Sequence, residues 1–474
     1  MRVKRLCALA LAFAGCGGQE EARTEAPPPS PLAVAAPEPE HAAPPAPPPP
    51  QFPEGTRSLT LKRTIPVRLE PGVDAKRIGT IGIDTRVAFT RTATAKGCKE
   101  PWVEIAPRGW VCGEHLEPST RAPLGREVPM LARGELVPGT YGKVTAKNPI
   151  TYVLERPGDK KARKGADKLS APRMRDGKPL VGSVNVRQWG EIEVDGKAYW
   201  KISRRDNEYV LRSAVKQHKP SEYSGARLGD ETGWSAPLAF VWPRAGRSAS
   251  TLRTPTGGAV NKLAARTPVP IFETASDRDG KPTAYRIGEA EWIRAADVRV
   301  FEPAPPPQDL AEGERWIDVD LDNQILVAFE GDIAVYATMV SSGGPKSPTE
   351  TGVYRMWLKE SESDMRGLNG EDPYSVATVP WVQFFYPEKG LALHTAYWHD
   401  GFGGRRSAGC VNLAPQDARW LYFWSEPQVP PGWTMTTGVA EAPGSIVRVR
   451  SKEDPEPAYK GYAREVLELR QRQR

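Results

Sequence analysis

Turn-forming residues interrupt this chain so often that long helices are excluded from most of it: 48 prolines and 44 glycines make up about a fifth of its 474 residues. Between the breaks lie short runs such as TRVAFTRT from Thr85 and PWVEI from Pro101, in which apolar and polar residues alternate as they do in half-buried strands. The chain is therefore expected to be mainly β. Its length suits roughly three or four units of ordinary domain size, so several modules are expected. Its 65 basic and 58 acidic residues are interspersed, and the net charge of +7 comes without a basic stripe. Nucleic acid is not an expected partner.

The first residues carry a different signal. Arg2, Lys4 and Arg5 precede an apolar core from Leu6 to Phe13 and then small residues, the layout of an export signal. That core is too short for a transmembrane helix, which needs about 20 apolar residues. Ala14-Gly15-Cys16 resembles a bacterial lipobox, which implies a signal peptide over 1–16 and lipidation of Cys16. Phe13 stands where such boxes carry Leu, which leaves plain secretion as the alternative. Gly17, with no aspartate following Cys16, favours an outer-membrane anchor, and the expected location is the periplasm or cell envelope. Residues 17–58 are rich in Pro and Ala, including PPPSP and PPAPPPP, and read as an extended tether in which about 30 residues reach on the order of 90 Å. In an oxidising compartment Cys98 and Cys112 can pair as a disulfide, while Cys410 is left without a partner.

Residues 59–120 contain VRLEPG, IGTIGIDTRV and WVEIAPRGWVCGEHL, runs that resemble a bacterial SH3-type domain. A Cys98–Cys112 bridge would staple so small a barrel, whereas zinc would need two more ligands and only His115 lies near. A second β-rich, SH3-like module is expected over 125–220, ending in AYWKISRRDNEYVLRSAVK, and a third over 235–302, ending in AYRIGEAEWIRAADVRVFE. The three endings suggest diverged copies of one barrel type. Trp102, Trp110, Trp200, Tyr209 and Trp292 either fill hairpin cores or line a glycan or peptide groove. A Pro-rich linker, PAPPPQDLAEGE at 303–314, precedes the last domain.

That domain spans 315–448 and opens with two apolar-alternating runs meeting at Glu330-Gly331-Asp332, as a hairpin would. Only PQDARWLYFW from Pro415 reads as helical. The charged tail, 449–474, forms a short helix or stays disordered and is given no chemical role. Beyond residue 310 the only histidines are His394 and His399 and the only cysteine is Cys410, all within LALHTAYWHDGFGGRRSAGCVNL. A thiol attacks as thiolate, and a histidine in contact raises the ionised fraction. The glycine-rich loop can bring the two together. The small residues Ala408 and Gly409 let backbone N–H groups, with that of Cys410, converge on a developing oxyanion. A metal held by His394, His399, Asp400 and Cys410 is the rival reading, against which stands the lack of carboxylate-rich motifs.

The pattern His394, Ser407-x-Gly409-Cys410-x-Asn412, preceded by IDVDLDNQILVAFEGD, VSSGGPKSPTETGVYRM and VPWVQFF, resembles the L,D-transpeptidase catalytic domain of the YkuD type. The resemblance implies a β-sandwich-like domain with one short helix and a peptidoglycan stem tetrapeptide as acyl donor, with no metal or organic cofactor. It implies Cys410 as nucleophile, His394 as base and Ser407 as an orienting group. Asn412 would hold the loop or the substrate, and Arg406 and His399 are further candidates for binding it. Many members carry His where this chain has Ala408, and His399 is close enough to substitute or to bind substrate, a surface or structural histidine being the equal alternative. The acceptor is a second stem's amine or the amine of an envelope protein. Two alternatives remain: the same thioester passed to water, as in a carboxypeptidase or endopeptidase, and a non-catalytic wall-binding lipoprotein.

Overall fold

The computed structural model describes residues 52–157, 171–229, 237–367, 373–440 and 442–473. The signal segment, Cys16 and most of the tether lie outside the described residues. The chain is already packed at Phe52, whose ring meets Phe89 edge-on with centroids 4.9 Å apart, within the range 17–58 expected as tether.

Short strands follow from the turn chemistry and group into three modules of eight strands each among the described residues. The first runs from Ser58–Leu61 to Leu116–Ser119, the second from Tyr141–Val144 to Val215–Gln217, and the third from Leu238–Val241 to Val298–Phe301. In every copy the first strand pairs with the last and with the fourth. The third, second, seventh, sixth and fifth strands cross the other sheet in that order. Each copy closes on a strand, one 3₁₀ turn and a strand, the turns being Gly113–His115, Arg212–Ala214 and Ala295–Asp297. The repeat suggested by the three endings thus extends to the whole topology.

None of the three is a closed barrel. Each is a pair of small sheets, and two of them spend an open edge on the last domain. Trp102, Trp110, Trp200, Tyr209 and Trp292 are buried, in keeping with hairpin cores rather than a groove. Cys98 and Cys112 form a disulfide with Cα atoms 5.6 Å apart.

The last domain is a two-layer sandwich. Its elements are β1 (Arg315–Asp320), β2 (Ile325–Glu330), β3 (Ile333–Met339), β4 (Gly352–Arg355), β5 (Leu358–Gly367), β6 (Tyr374–Tyr386), β7 (Leu391–Thr395), β8 (Val411–Leu413), α1 (Pro415–Trp424), β9 (Trp433–Thr437), β10 (Ile446–Arg450) and α2 (Tyr462–Gln473). One sheet runs β3–β2–β1–β10–β4, extended beyond β3 by Ala226–Arg227. The other runs β9–β5–β6–β7–β8. Val319, Tyr354, Trp381, Leu393 and Leu413 fill the space between them, joined by Leu421 of α1, and this apolar burial is the main force holding the layers. Lys359 of β5 is fully buried, with Nζ donating to the Tyr422 carbonyl at 2.8 Å and to that of Ser425. It thereby satisfies carbonyls that the end of α1 leaves unpaired. One helix was expected here; α2, formed by the tail, is the second. Ala463 and Val466 of α2 are buried, so the tail is part of the fold.

Candidate active site

β7 and β8 pair in parallel, with Leu393 opposite Val411 and His394 opposite Asn412. Opposed residues in such a pair point the same way, and every second residue shares a face. His394, Asn412 and Cys410 therefore look out on one side, where they line a cavity of about 210 Å³ together with Arg406, Ser407 and Ala408. Tyr374 and Val376 of β6 and Ser183 and Asn185 of the second module line it as well.

His394 is buried, and its Nδ1 donates to the Thr395 carbonyl at 2.9 Å. That bond leaves the Nε2 lone pair free to accept a proton. Burial lowers the imidazole pKa to about 4. Cys410 is half-buried, its Sγ 3.8 Å from the Gly390 carbonyl, and burial pushes the thiol up to about 11. Near pH 7 the resting site holds a neutral thiol and a neutral imidazole.

Ser407 shapes the turn into Cys410. Its hydroxyl donates to the Cys410 carbonyl and accepts the Gly409 N–H at 3.2 Å. The Gly409 amide is thus occupied, whereas the backbone N–H groups of Ala408 and Cys410 have no partner among the described residues. Gly409 sits at φ +116°, where a side chain would be strained. Thr349 locks this turn: Oγ1 donates to the Gly409 carbonyl at 2.7 Å and accepts the Gly343 N–H at 2.8 Å. Ser341 and Asn412 exchange backbone hydrogen bonds of 3.0 and 2.9 Å. Gln324 holds Ser342 from both ends of its amide, at 2.7 and 2.8 Å. Sequence reasoning missed Gln324, Ser341 and Thr349 as individual residues; the only signal was the small-residue run around Ser341.

His399 lies outside the cavity lining. Its Nδ1 accepts the Gly401 N–H at 3.1 Å, so its proton sits on Nε2, which faces the Asn412 side chain at 3.0 Å. The amide oxygen of Asn412 is then the group that meets it; turned the other way, that oxygen is buried without a donor. His399 thus props Asn412, and its own pKa is lowered to about 4 by burial. Asp400 is held by Arg266 of the third module through a pair of bonds, one of 2.9 Å, and by Ser221. Arg299 donates to the Gly403 carbonyl, and Trp242 lies against Gly403. The glycine-rich loop, expected to bring His394 and Cys410 together, is clamped by the third module. Among the described residues, the only metal-compatible grouping is Cys98, Cys112 and Glu114, whose sulfurs are tied up in the disulfide.

Residues 314–449 match the YkuD family, described as the L,D-transpeptidase catalytic domain. This segment is an L,D-transpeptidase catalytic domain. At the level of the family, such domains act on peptidoglycan stem peptides. No curated protein sequence matches the chain. Among solved structures, a mutant of the Enterococcus faecium L,D-transpeptidase is similar at 26% identity over 29% of this chain and 50% of that one, with a TM-score of 0.23. The isolated catalytic domain from the same organism is similar at 26% identity over 29% of this chain and 98% of that one, also with a TM-score of 0.23. An L,D-transpeptidase from Mycobacterium smegmatis is similar at 19% identity over 50% of this chain and 89% of that one, with a TM-score of 0.24. The chain thus spans half the length of the longer Enterococcus protein. Outside the transpeptidase domain the family match covers nothing. Among the described residues, no helix is long and apolar enough to cross a membrane.

Proposed function

We propose that this protein is an exported peptidoglycan L,D-transpeptidase that cross-links stem peptides through a thioester on Cys410. The observation that carries the reading is the alignment of His394 on β7, Asn412 on β8 and Cys410 just before β8, all at the wall of a single cavity. As the sulfur attacks the carbonyl carbon before the terminal D-Ala, the thiol proton passes to His394 Nε2. The oxygen takes the electron pair and is met by the free N–H groups of Ala408 and Cys410. Collapse breaks the C–N bond, and His394 returns the proton to the departing D-Ala amine. A second stem's amine then gives a proton to His394 and bonds the acyl carbon. The C–S bond breaks, and the thiolate recovers the proton.

Because thiol and imidazole are both neutral at rest, the proton moves during attack and not before it. Ser407 acts in this scheme by holding the turn, and Asn412, propped by His399, by holding its side-chain amide towards the cavity wall. Arg406, at the rim, supplies positive charge for the stem carboxylates. Cys16 carries the lipid anchor that holds the protein at the outer membrane.

Mass spectrometry of muropeptide tetrapeptides incubated with the detergent-solubilised protein tests the reading. Cross-linked dimers lacking one D-Ala are expected from the wild type and none from Cys410→Ala. Tripeptides alone would assign a hydrolase, and unchanged tetrapeptide with both proteins would sink the enzyme reading.

A further inference from the structure

One wall of the catalytic cavity does not belong to the transpeptidase domain. The long strand β6 pairs with β7 through residues 383–386. Over Tyr374–Val376 it pairs in parallel with Ser183–Asn185 of the second module. That module's strand therefore takes up the same ladder next to the end of β7 that carries His394. Gly182, at φ +76°, makes the approach possible, since any side chain there would collide with the Pro373 carbonyl. The junction is fixed at several points. Arg187 forms an ion pair with Glu362 of β5, and Tyr141 stacks on Tyr397 with centroids 4.0 Å apart.

Asn185 is buried and lines the cavity. Its Oδ1 is held by His218 Nε2 at 2.8 Å, which fixes the amide plane. Its Nδ2 donates to nothing among the described residues. An amide held from behind by His218, with its Nδ2 unpaired and open to the cavity, is placed to donate to an acceptor that enters it.

We infer that Asn185 is a substrate-positioning residue, donating from Nδ2 to a main-chain carbonyl or carboxylate of the acyl-donor peptide, with His218 setting its orientation. The inference rests on the reading of the site as one that binds a peptide acyl donor. It assigns the second module a part in substrate selection that the transpeptidase domain does not supply by itself.

The test is protection of Cys410 from iodoacetamide by a stem tetrapeptide, read at Cys410 by peptide mass spectrometry on the detergent-solubilised full-length protein. Because this measures occupancy and not turnover, it is independent of product formation. Asn185→Ala is expected to raise the half-protecting concentration about tenfold, with alkylation in the absence of peptide unchanged. Asn185→Asp, which puts an acceptor where a donor is needed, should raise it further. His218→Phe should reproduce the Asn185→Ala shift, whereas a purely structural histidine would alter alkylation without peptide instead. Superimposable protection curves for wild type and Asn185→Ala overturn the assignment of Asn185. Absence of protection in the wild type overturns the acyl-donor reading and this inference with it. If Asn185→Ala unfolds early, Ser183→Tyr, at the half-buried rim of the same wall, becomes the deciding variant and must lose protection for the inference to stand.

Discussion

The first and second modules share one eight-strand topology, and each docks a strand on the transpeptidase domain through a glycine, yet of the two only the second lines the cavity of the candidate site. In the first, Gly79 lies beneath the ring of Trp433, and Gly79–Ile81 pairs with β9, at the edge of the sheet remote from β7 and β8. In the second, Gly182 lies against Pro373, and Ser183–Asn185 pairs with β6, the neighbour of the strand that carries His394. The same fold thus serves as a brace in one position and as a wall of the site in the other. What distinguishes them is the strand of the catalytic sheet that each edge found, not anything internal to the module.

The state of the thiol that the second module encloses gives the largest expected effect. With Cys410 raised to about 11 by burial, its alkylation by iodoacetamide should climb about tenfold per pH unit, roughly a thousandfold from pH 7 to 10. A plateau near neutrality would mean that the enclosed pair is an ion pair at rest. Next, Gly182→Val should push the second module's strand off β6 and cut turnover about 100-fold, with folding of the first module intact. Gly79→Val should instead lower stability by about 1 to 3 kcal/mol through overpacking against Trp433 and leave the activity of the folded fraction near wild type. Equal losses of activity in the two variants would erase the contrast.

Replacing Cys98 and Cys112 by alanine should cost about 3 kcal/mol, the value for a loop of about 15 residues, without changing kcat/KM. Denaturant unfolding and turnover on one sample check both halves. The last effect concerns acid. His218, His394 and His399 each have a pKa lowered by burial to about 4, against about 6.5 unfolded. Between pH 6.5 and 4 the unfolded chain binds more protons, so stability must fall as pH falls through that window. Calorimetry of His218→Gln should show a shallower loss over this range than the wild type. An unchanged slope would mean that His218 does not hold the second module's wall in its neutral form.

Much of the site was legible because it is local. Cys410, Ser407 and Gly409 lie in one turn, and His394 is on the strand next to it, so their residue types and spacing carry the signal. The Cys98–Cys112 disulfide was expected from the cysteine count together with the export reading, and the hairpin at Glu330-Gly331-Asp332 from turn chemistry. The roles of neighbours were less legible. His399 reads from the sequence as a substitute imidazole, a substrate contact or a structural histidine, and its hydrogen bonds turn it towards Asn412. Asp400 reads as a possible ligand, but Arg266, more than a hundred residues away in the chain, holds it.

By itself, the sequence determined the strand-rich class, the three repeated endings, the short helix α1 and the closeness in the chain of His394 and Cys410, which line one cavity, all set by periodicity, turn residues and motifs within a few dozen positions. Only the tertiary structure decided that the modules open into paired sheets, that the tail packs as α2, that Thr349 locks the turn before Cys410 and that Asn185 lines the same cavity. These depend on pairings between segments far apart in the chain, such as Ser183–Asn185 with β6. Such register is chosen by which edges meet and what they bury, and it leaves no local pattern to read.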